Sequence, residues 1–94
     1  MSLEELEELF EKHNNEYLKF DMVQSPLSKR RDLHAFLFLD QLCPGNRCMV
    51  CGAGHDEIYL DVSPSDILHI TENQIIDLVR SGVKIDGDGL SMFA

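Results

Sequence analysis

Apolar side chains recur at helical spacing through the first twenty residues of the chain. On a helical wheel they fall within an arc of about 120°, as in an amphipathic helix with one packed face. The residues on this arc are Leu3, Leu6, Leu9, Phe10, His13, Tyr17 and Phe20. Ser2 and Glu5 have the spacing of a capping box at a helix start. The pattern therefore predicts a helix over residues 2–19, with His13 at the edge of the core.

A second helix is predicted over residues 26–42, before a Pro-Gly turn. Ser25 and Pro26 are typical of an N-cap residue followed by the first helical residue. The apolar residues 36–39 point all round the wheel, which indicates a helix that is central or lies at an interface. A strand over residues 33–39 is the alternative, because short apolar runs fit either structure.

The second half of the chain predicts strands and short helices. Alternating apolar and polar positions, separated by turn residues, predict two β-hairpins. Their strands are residues 48–52, 57–62, 83–86 and 90–93. Capping boxes that begin at Ser63 and Thr71 predict two short helices within residues 64–81, and Gly82 suits a left-handed helix end. We therefore predict an α+β fold with two N-terminal helices, a hairpin, two short helices and a terminal hairpin, built on one small antiparallel sheet.

A chain of 94 residues, of which 44% are hydrophobic, is typical of a single folded domain, here residues 1–94. Such a short chain has a thin core, and a homodimer would cover its apolar second helix better. The longest apolar run, residues 35–39, is too short to cross a membrane. The acidic, amphipathic N-terminus does not resemble a signal peptide. We expect a cytoplasmic protein that makes no membrane contact.

The formal net charge of −9 is unevenly distributed. Residues 1–20 carry −4, residues 21–47 carry +1 and residues 48–94 carry −6. Direct binding to nucleic acid is disfavoured, because it requires clustered cations. An acidic surface suits a protein partner with a basic surface, or it serves solubility alone. The candidate contacts for such a partner are the glutamates on the solvent face of the first helix, Glu4, Glu5, Glu8 and Glu11.

Lys29, Arg30 and Arg31 form a basic cluster at the start of the second predicted helix. Cations in the first turn of a helix oppose its dipole, so their position there indicates a role. They either pair with acids elsewhere in the chain or bind a phosphate or an acidic partner. Asp40 lies between apolar positions of the same helix, and we expect it to be partly buried beside a partner such as an arginine.

Cys43, Cys48, Cys51 and His55 lie close together in the sequence, in a span that short zinc knuckles also use. A zinc site is one interpretation of this spacing. The other is that the cysteines are free thiols, because strand alternation would place Cys48 and Cys51 on opposite faces. Buried cysteines are also common as small apolar residues. On the second interpretation we expect no bound cofactor.

His55, Asp56 and Glu57 form a predicted turn whose side chains could serve acid–base chemistry or contact a partner. The sequence holds no second catalytic motif that would complete an active site. A solvated turn is therefore the preferred interpretation, and we expect no enzymatic activity. His34 and His69 are expected on helix surfaces.

Four stretches of the chain resemble a group of small, uncharacterised proteins of phages and prophages. The stretches are residues 29–36, 55–62, 76–83 and 90–94. The resemblance implies an accessory protein of a bacterial cytoplasm and carries over no functional residue. Two classes of function follow from the sequence as a whole. The first is an acidic interaction module or inhibitor that binds a basic protein, and the second is a small zinc-binding module.

Overall fold

The computed structural model describes residues 1–93 and has an α+β fold, as predicted. The α-helices within these residues are α1 (Leu3–Lys12), α2 (Arg31–Leu42) and α3 (Glu72–Arg80). The strands are β1 (Val50–Ala53), β2 (Glu57–Leu60), β3 (Val83–Asp86) and β4 (Gly89–Phe93). Short 3-10 turns occupy Asn14–Glu16, Phe20–Met22 and Pro64–Ile67. Ala94, the last residue of the fourth stretch named above, lies outside the described residues.

The four strands form one antiparallel sheet in the order β1-β2-β4-β3. Both predicted hairpins are present, and they join where β2 pairs with β4. Across this central pair, Ile58 faces Met92 and Leu60 faces Leu90. Because side chains alternate along a strand, these four residues share the face that contributes to the core, whereas Tyr59 lies on the opposite face.

Helix α1 begins as predicted, with Ser2 as its N-cap, but it ends at Lys12 rather than at residue 19. The asparagines at positions 14 and 15 are poor helix formers, because their side chains compete for backbone hydrogen bonds. Leu18 then adopts a positive φ of 64°, which a continuing helix does not allow. Its N–H instead donates to a carbonyl of α3 at 3.2 Å. The turn away from the helix axis is therefore fixed by a contact with a distant segment.

Helix α2 begins at Arg31, later than predicted. Ser25 has a φ of 50°, which differs from the extended conformation of an N-cap residue. The chain between Ser25 and Arg31 forms a loop. Residues 33–39 are helical, so the alternative prediction of a strand there is wrong. Asp40, which was predicted to be partly buried, is exposed. The reason is that its neighbour on the wheel, Leu33, also faces solvent.

His34 is buried, and the prediction of a surface histidine is wrong. The side chain is only 2% exposed. Its Nδ1 accepts a hydrogen bond from the N–H of Leu27 at 3.0 Å, and its Nε2 lies 3.0 Å from a carboxylate oxygen of Asp77. The rings of Phe20 and Phe38 flank the imidazole, with centroids at 5.5 and 5.6 Å. Burial is tolerated because both ring nitrogens have partners.

The predicted capping motifs around α3 are present. Thr71 Oγ1 accepts from the N–H of Gln74 at 3.2 Å, and the Gln74 side chain accepts from the N–H of Thr71 at 2.8 Å. At the preceding 3-10 turn the Asp66 carboxylate accepts from the N–H of Ser63 at 3.1 Å and from its hydroxyl at 2.9 Å. Gly82 follows α3 with a φ of 88°, as a left-handed helix end requires. Local sequence signals therefore fix this part of the fold.

The buried apolar side chains form one cluster to which all three α-helices and the sheet contribute. Its members are Leu6, Phe10, Ala35, Leu39, Leu60, Val62, Ile67, Ile70, Ile75, Leu78, Val79, Val83, Leu90 and Met92. Among residues 1–93, no helix combines the length and the apolar character that crossing a bilayer would require.

Candidate protein-interaction site

Many acidic side chains of this protein are paired within the chain. The pairs are Glu72 with Lys12 and His13, Glu16 with Arg80 and Lys19, Glu57 with Lys84, Asp61 with Arg47, and Asp77 with His34. The hydrogen bond from Arg80 holds the pKa of Glu16 below its ordinary value of 4.5. The hydrogen bond from His13 does the same for the pKa of Glu72. These carboxylates already have partners, so they are poorly placed to attract another molecule.

Helix α1 carries acidic side chains that are not paired in this way. Glu4, Glu7, Glu8 and Glu11 are all exposed. Within residues 1–93, none of the four forms an ion pair. Glu11 accepts a hydrogen bond from the amide of Asn14 at 3.3 Å, which leaves its charge uncompensated. Helix α1 therefore offers a partner a group of closely spaced carboxylates without ion pairs in the described part of the chain.

A groove of about 520 Å³ runs between α1 and β3. Its apolar lining comes from Phe10, Tyr17, Val79, Val83 and Ile85. Its polar lining comes from Glu7, Glu11, Asn14 and Lys84. Two unpaired carboxylates thus stand at the rim of an apolar depression, and this arrangement combines hydrophobic contact with negative charge.

The backbone of β3 contributes to the same groove. The N–H of Phe93 donates to the carbonyl of Gly82 at 3.2 Å, which fixes the alternation of hydrogen-bonded pairs between β3 and β4. By that alternation, Val83 and Ile85 direct their N–H and C=O groups away from β4. Both residues line the groove, but Val83 is fully buried whereas Ile85 is partly exposed. The sheet edge therefore opens into the groove at Ile85.

The structure separates the glutamates that the sequence had grouped on one face. Glu11 lines the groove, while Glu4 and Glu8 do not. Glu7, which sequence reasoning missed, lines the groove beside Glu11. The available signal was the i, i+4 spacing of Glu7 and Glu11 around Phe10, since residues at this spacing share a helix side.

The predicted basic cluster is divided in the structure. Lys29 and Arg30 are exposed and precede α2, so only Arg31 lies in its first turn. The Arg31 guanidinium donates to the carbonyls of Ser81 at 3.0 Å and Phe93 at 3.2 Å, and lies 5.8 Å from the centre of the Phe93 ring. Arg31 therefore ties α2 to the end of the sheet, whereas Lys29 and Arg30 form no ion pair within residues 1–93.

The turn containing His55, Asp56 and Glu57 does not gather its side chains into a site. His55 is 97% exposed and lies 3.9 Å from a carboxylate oxygen of Asp56. Glu57 belongs to β2, and its carboxylate accepts a hydrogen bond from Lys84 at 2.6 Å, which raises the pKa of Lys84 above 10.5. His55 and Asp56 are therefore largely solvated, whereas Glu57 is a strand residue whose carboxylate is already bonded.

The three cysteines have free thiols. Cys43 follows the end of α2 and packs against the core, whereas Cys48 and Cys51 are exposed. Across residues 1–93, no three His, Cys, Asp or Glu side chains lie together as metal ligands would. The structure therefore does not bring Cys43, Cys48, Cys51 and His55 into a zinc-binding arrangement, and the zinc module stays a prediction from the sequence.

A second cleft, of about 410 Å³, lies between residues 23–24 and α3. Asp77 and Arg80 both line it. Asp77 is bonded to His34, and Arg80 is bonded to Glu16. Because the charged groups of this cleft already have partners, it is a weaker candidate for a binding site than the groove beside α1.

The sequence matches no protein-family model, no curated protein and no solved structure at a significant level. The resemblance to phage and prophage proteins therefore stays a prediction. Any functional proposal has to rest on the geometry and charge of the residues described above.

Proposed function

We propose that the protein is a small interaction module that binds a basic segment of another protein in the groove between α1 and β3. The observation that carries this proposal is the position of Glu7 and Glu11. Both carboxylates lack an ion pair within residues 1–93, and both stand at the rim of an apolar groove.

A lysine or arginine side chain has the chemistry that this groove would accept. Its aliphatic stem can lie on apolar surface while its charged head stays near water. Here the stem would contact Phe10 and Val79, and the cation would reach Glu7 or Glu11. An extended backbone beside β3 would also meet the N–H and C=O groups of Ile85, as in recognition by strand addition.

Salt should weaken this interaction in a characteristic way. Opposite charges that are exposed to solvent attract each other mainly within a screening length of about 8 Å at physiological ionic strength. Such attraction acts mainly on the association rate and on specificity. The apolar lining supplies the component that salt does not screen, so binding should weaken but persist at high salt.

The test compares two pairs of substitutions on one helix. Glu7→Gln with Glu11→Gln removes the two charges at the groove. Glu4→Gln with Glu8→Gln removes the same charge at the same i, i+4 spacing, but away from it. The probe is a panel of fluorescent decapeptides that combine lysine or arginine with apolar residues, and binding is followed by polarisation at several salt concentrations.

We expect the variant with Glu7→Gln and Glu11→Gln to weaken peptide binding about fivefold to thirtyfold, as for the loss of two ion pairs of about 1 kcal/mol or less each. It should also reduce the salt dependence, while the matched pair has a much smaller effect. Equal effects of the two pairs would show that net charge alone attracts the peptides. Absence of binding across the panel would refute the proposal.

A further inference from the structure

Helix α2 exposes a stripe of four residues that the fold leaves uncovered. The stripe, named here the α2 stripe, consists of Arg30, Leu33, Leu37 and Asp40. At 100° per residue these positions lie within an arc of about 80°. Leu33 is 43% exposed and Leu37 is 42% exposed. Two large apolar side chains at this spacing form a seam of the kind that packs against another helix.

The charged ends of the α2 stripe are unpaired. Arg30 precedes the helix, and its carbonyl accepts the hydrogen bond of the first helical turn from the N–H of His34. Its guanidinium and the Asp40 carboxylate form no ion pair within residues 1–93. Neighbouring Arg31, by contrast, is used inside the fold. The α2 stripe therefore offers one positive and one negative end, separated by two leucines.

The spacing of these residues is symmetric along the helix. Arg30 precedes Leu33 by three positions, Leu37 follows Leu33 by four, and Asp40 follows Leu37 by three. A two-fold axis midway between the leucines would place Leu33 of one copy against Leu37 of the other. The same axis would place Arg30 against Asp40, twice. A self-complementary patch of this kind is what an isologous dimer requires.

We propose that two copies of the chain associate through antiparallel packing of their α2 stripes, with Leu33 against Leu37 and Arg30 against Asp40. This inference does not depend on the proposed function. It would make the module bivalent, because α1 and its groove are not part of the interface.

The distribution of charge favours the same surface. Residues 21–47, which include α2, carry a net +1, whereas the flanking segments carry −4 and −6. Two copies that approach through the exposed glutamates of α1 would bring like charges together. Contact through α2 avoids this repulsion and adds two ion pairs at the ends of the seam.

Sedimentation equilibrium of the full chain, from micromolar to millimolar concentration, tests the proposal. The wild-type protein is expected to reach the mass of a dimer. Leu37→Glu should weaken the dimer by at least about tenfold, because it places a charge in the apolar seam. Leu3→Glu is the matched control, since Leu3 is 43% exposed on α1, and this variant should remain dimeric.

Charge reversal tests the antiparallel arrangement itself. Arg30→Asp alone and Asp40→Arg alone should each weaken the dimer, because each places like charges opposite one another. The double variant restores both pairs and should dimerise nearly as well as the wild type. Circular dichroism confirms that each variant is folded. A monomeric wild type, a dimer unaffected by Leu37→Glu, or a double variant weaker than both single variants would overturn the proposal.

Discussion

The Nε2 atom of His34 lies 3.0 Å from Oδ1 of Asp77, and this contact joins α2 to α3. The other ring nitrogen, Nδ1, accepts the N–H of Leu27, so the proton of the neutral imidazole lies on Nε2 and is donated to Asp77. The imidazole is 2% exposed and the carboxylate is 26% exposed. With both nitrogens engaged, this histidine holds two helices and a loop together.

Replacing Asp77 should therefore destabilise the fold, and the size of the loss should depend on whether the new side chain can accept a hydrogen bond from His34. Asp77→Leu leaves a buried imidazole N–H without an acceptor, and we expect a loss of about 1–3 kcal/mol. Asp77→Asn keeps an amide oxygen at the same place, so it should cost less. Urea denaturation of both variants provides the measurement. Equal losses for the two variants would mean that hydrogen bonding to His34 contributes little to stability.

Gly82 should tolerate no side chain without loss of stability. Its φ of 88° is unfavourable for other residues, and a Cβ there would lie 2.5 Å from Nη1 of Arg31 and 2.9 Å from Cδ2 of Leu18. We expect Gly82→Ala to cost about 1–3 kcal/mol in urea denaturation, as strained backbone positions do. Gly45→Ala is the control, because no atom of residues 1–93 beyond its immediate chain neighbours lies within 4 Å of a Cβ there.

The loss at Gly82 has two causes, the unfavourable backbone conformation and the close contact with Arg31, and a double variant separates them. If the clash with Arg31 contributes, adding Arg31→Ala to Gly82→Ala should cost less than the sum of the single changes, as coupled neighbours do. Strict additivity would assign the whole effect at Gly82 to its backbone conformation and to Leu18.

The parts of the fold that the sequence predicted well depend on short-range signals. The Thr71 capping box and the turn before β4 act over four or five residues, and both were located correctly. The end of α1 and the start of α2 were wrong, because Leu18 is held by a hydrogen bond to α3 and Ser25 has a positive φ. No local pattern contains the hydrogen bond of Leu18 to α3, although Asn14 and Asn15 were a local signal for the early end of α1.

The candidate site was predicted only in part for a similar reason. Composition and helical periodicity identified the acidic helix and Glu11. Helical spacing places Glu7 beside Glu11, but the groove that both residues line depends on β3, which lies far away in the sequence and forms the other wall. The same limit applies to His34, whose partner Asp77 belongs to another helix.

The three thiols should react at different rates with a thiol-specific reagent. Cys48 and Cys51 are exposed and should react rapidly, whereas Cys43 packs against the core and should react more slowly. Elemental analysis of untagged protein should find well under one zinc per chain. Stoichiometric zinc, protection of all three thiols and loss of structure with a chelator would instead support the zinc module.

Three carboxylates link the stability of the protein to acid pH. Arg80 holds the pKa of Glu16 below 4.5, His13 holds that of Glu72 below 4.5, and hydrogen bonds from Ser63 hold that of Asp66 below 3.8. A lowered pKa in the folded state means that the unfolded chain binds protons more readily as the pH falls. The stabilisation is therefore present above the unfolded values and is lost as the pH falls through the lowered ones.

We expect the free energy of unfolding, measured by urea denaturation, to decrease as the pH is lowered below about 4.5, the ordinary pKa of a glutamate here. Glu72→Gln should be less stable than the wild type at neutral pH, because it removes the negative charge that contacts Lys12 and His13. The two curves should converge in strong acid, where Glu72 is protonated and uncharged in the wild type as well. Glu8→Gln is the control, since Glu8 forms no ion pair within residues 1–93, and its curve should follow that of the wild type throughout. The contact would act through packing and not through charge if the free energies of unfolding of Glu72→Gln and wild type differed by a constant amount down to pH values well below 4.5, the ordinary pKa of glutamate.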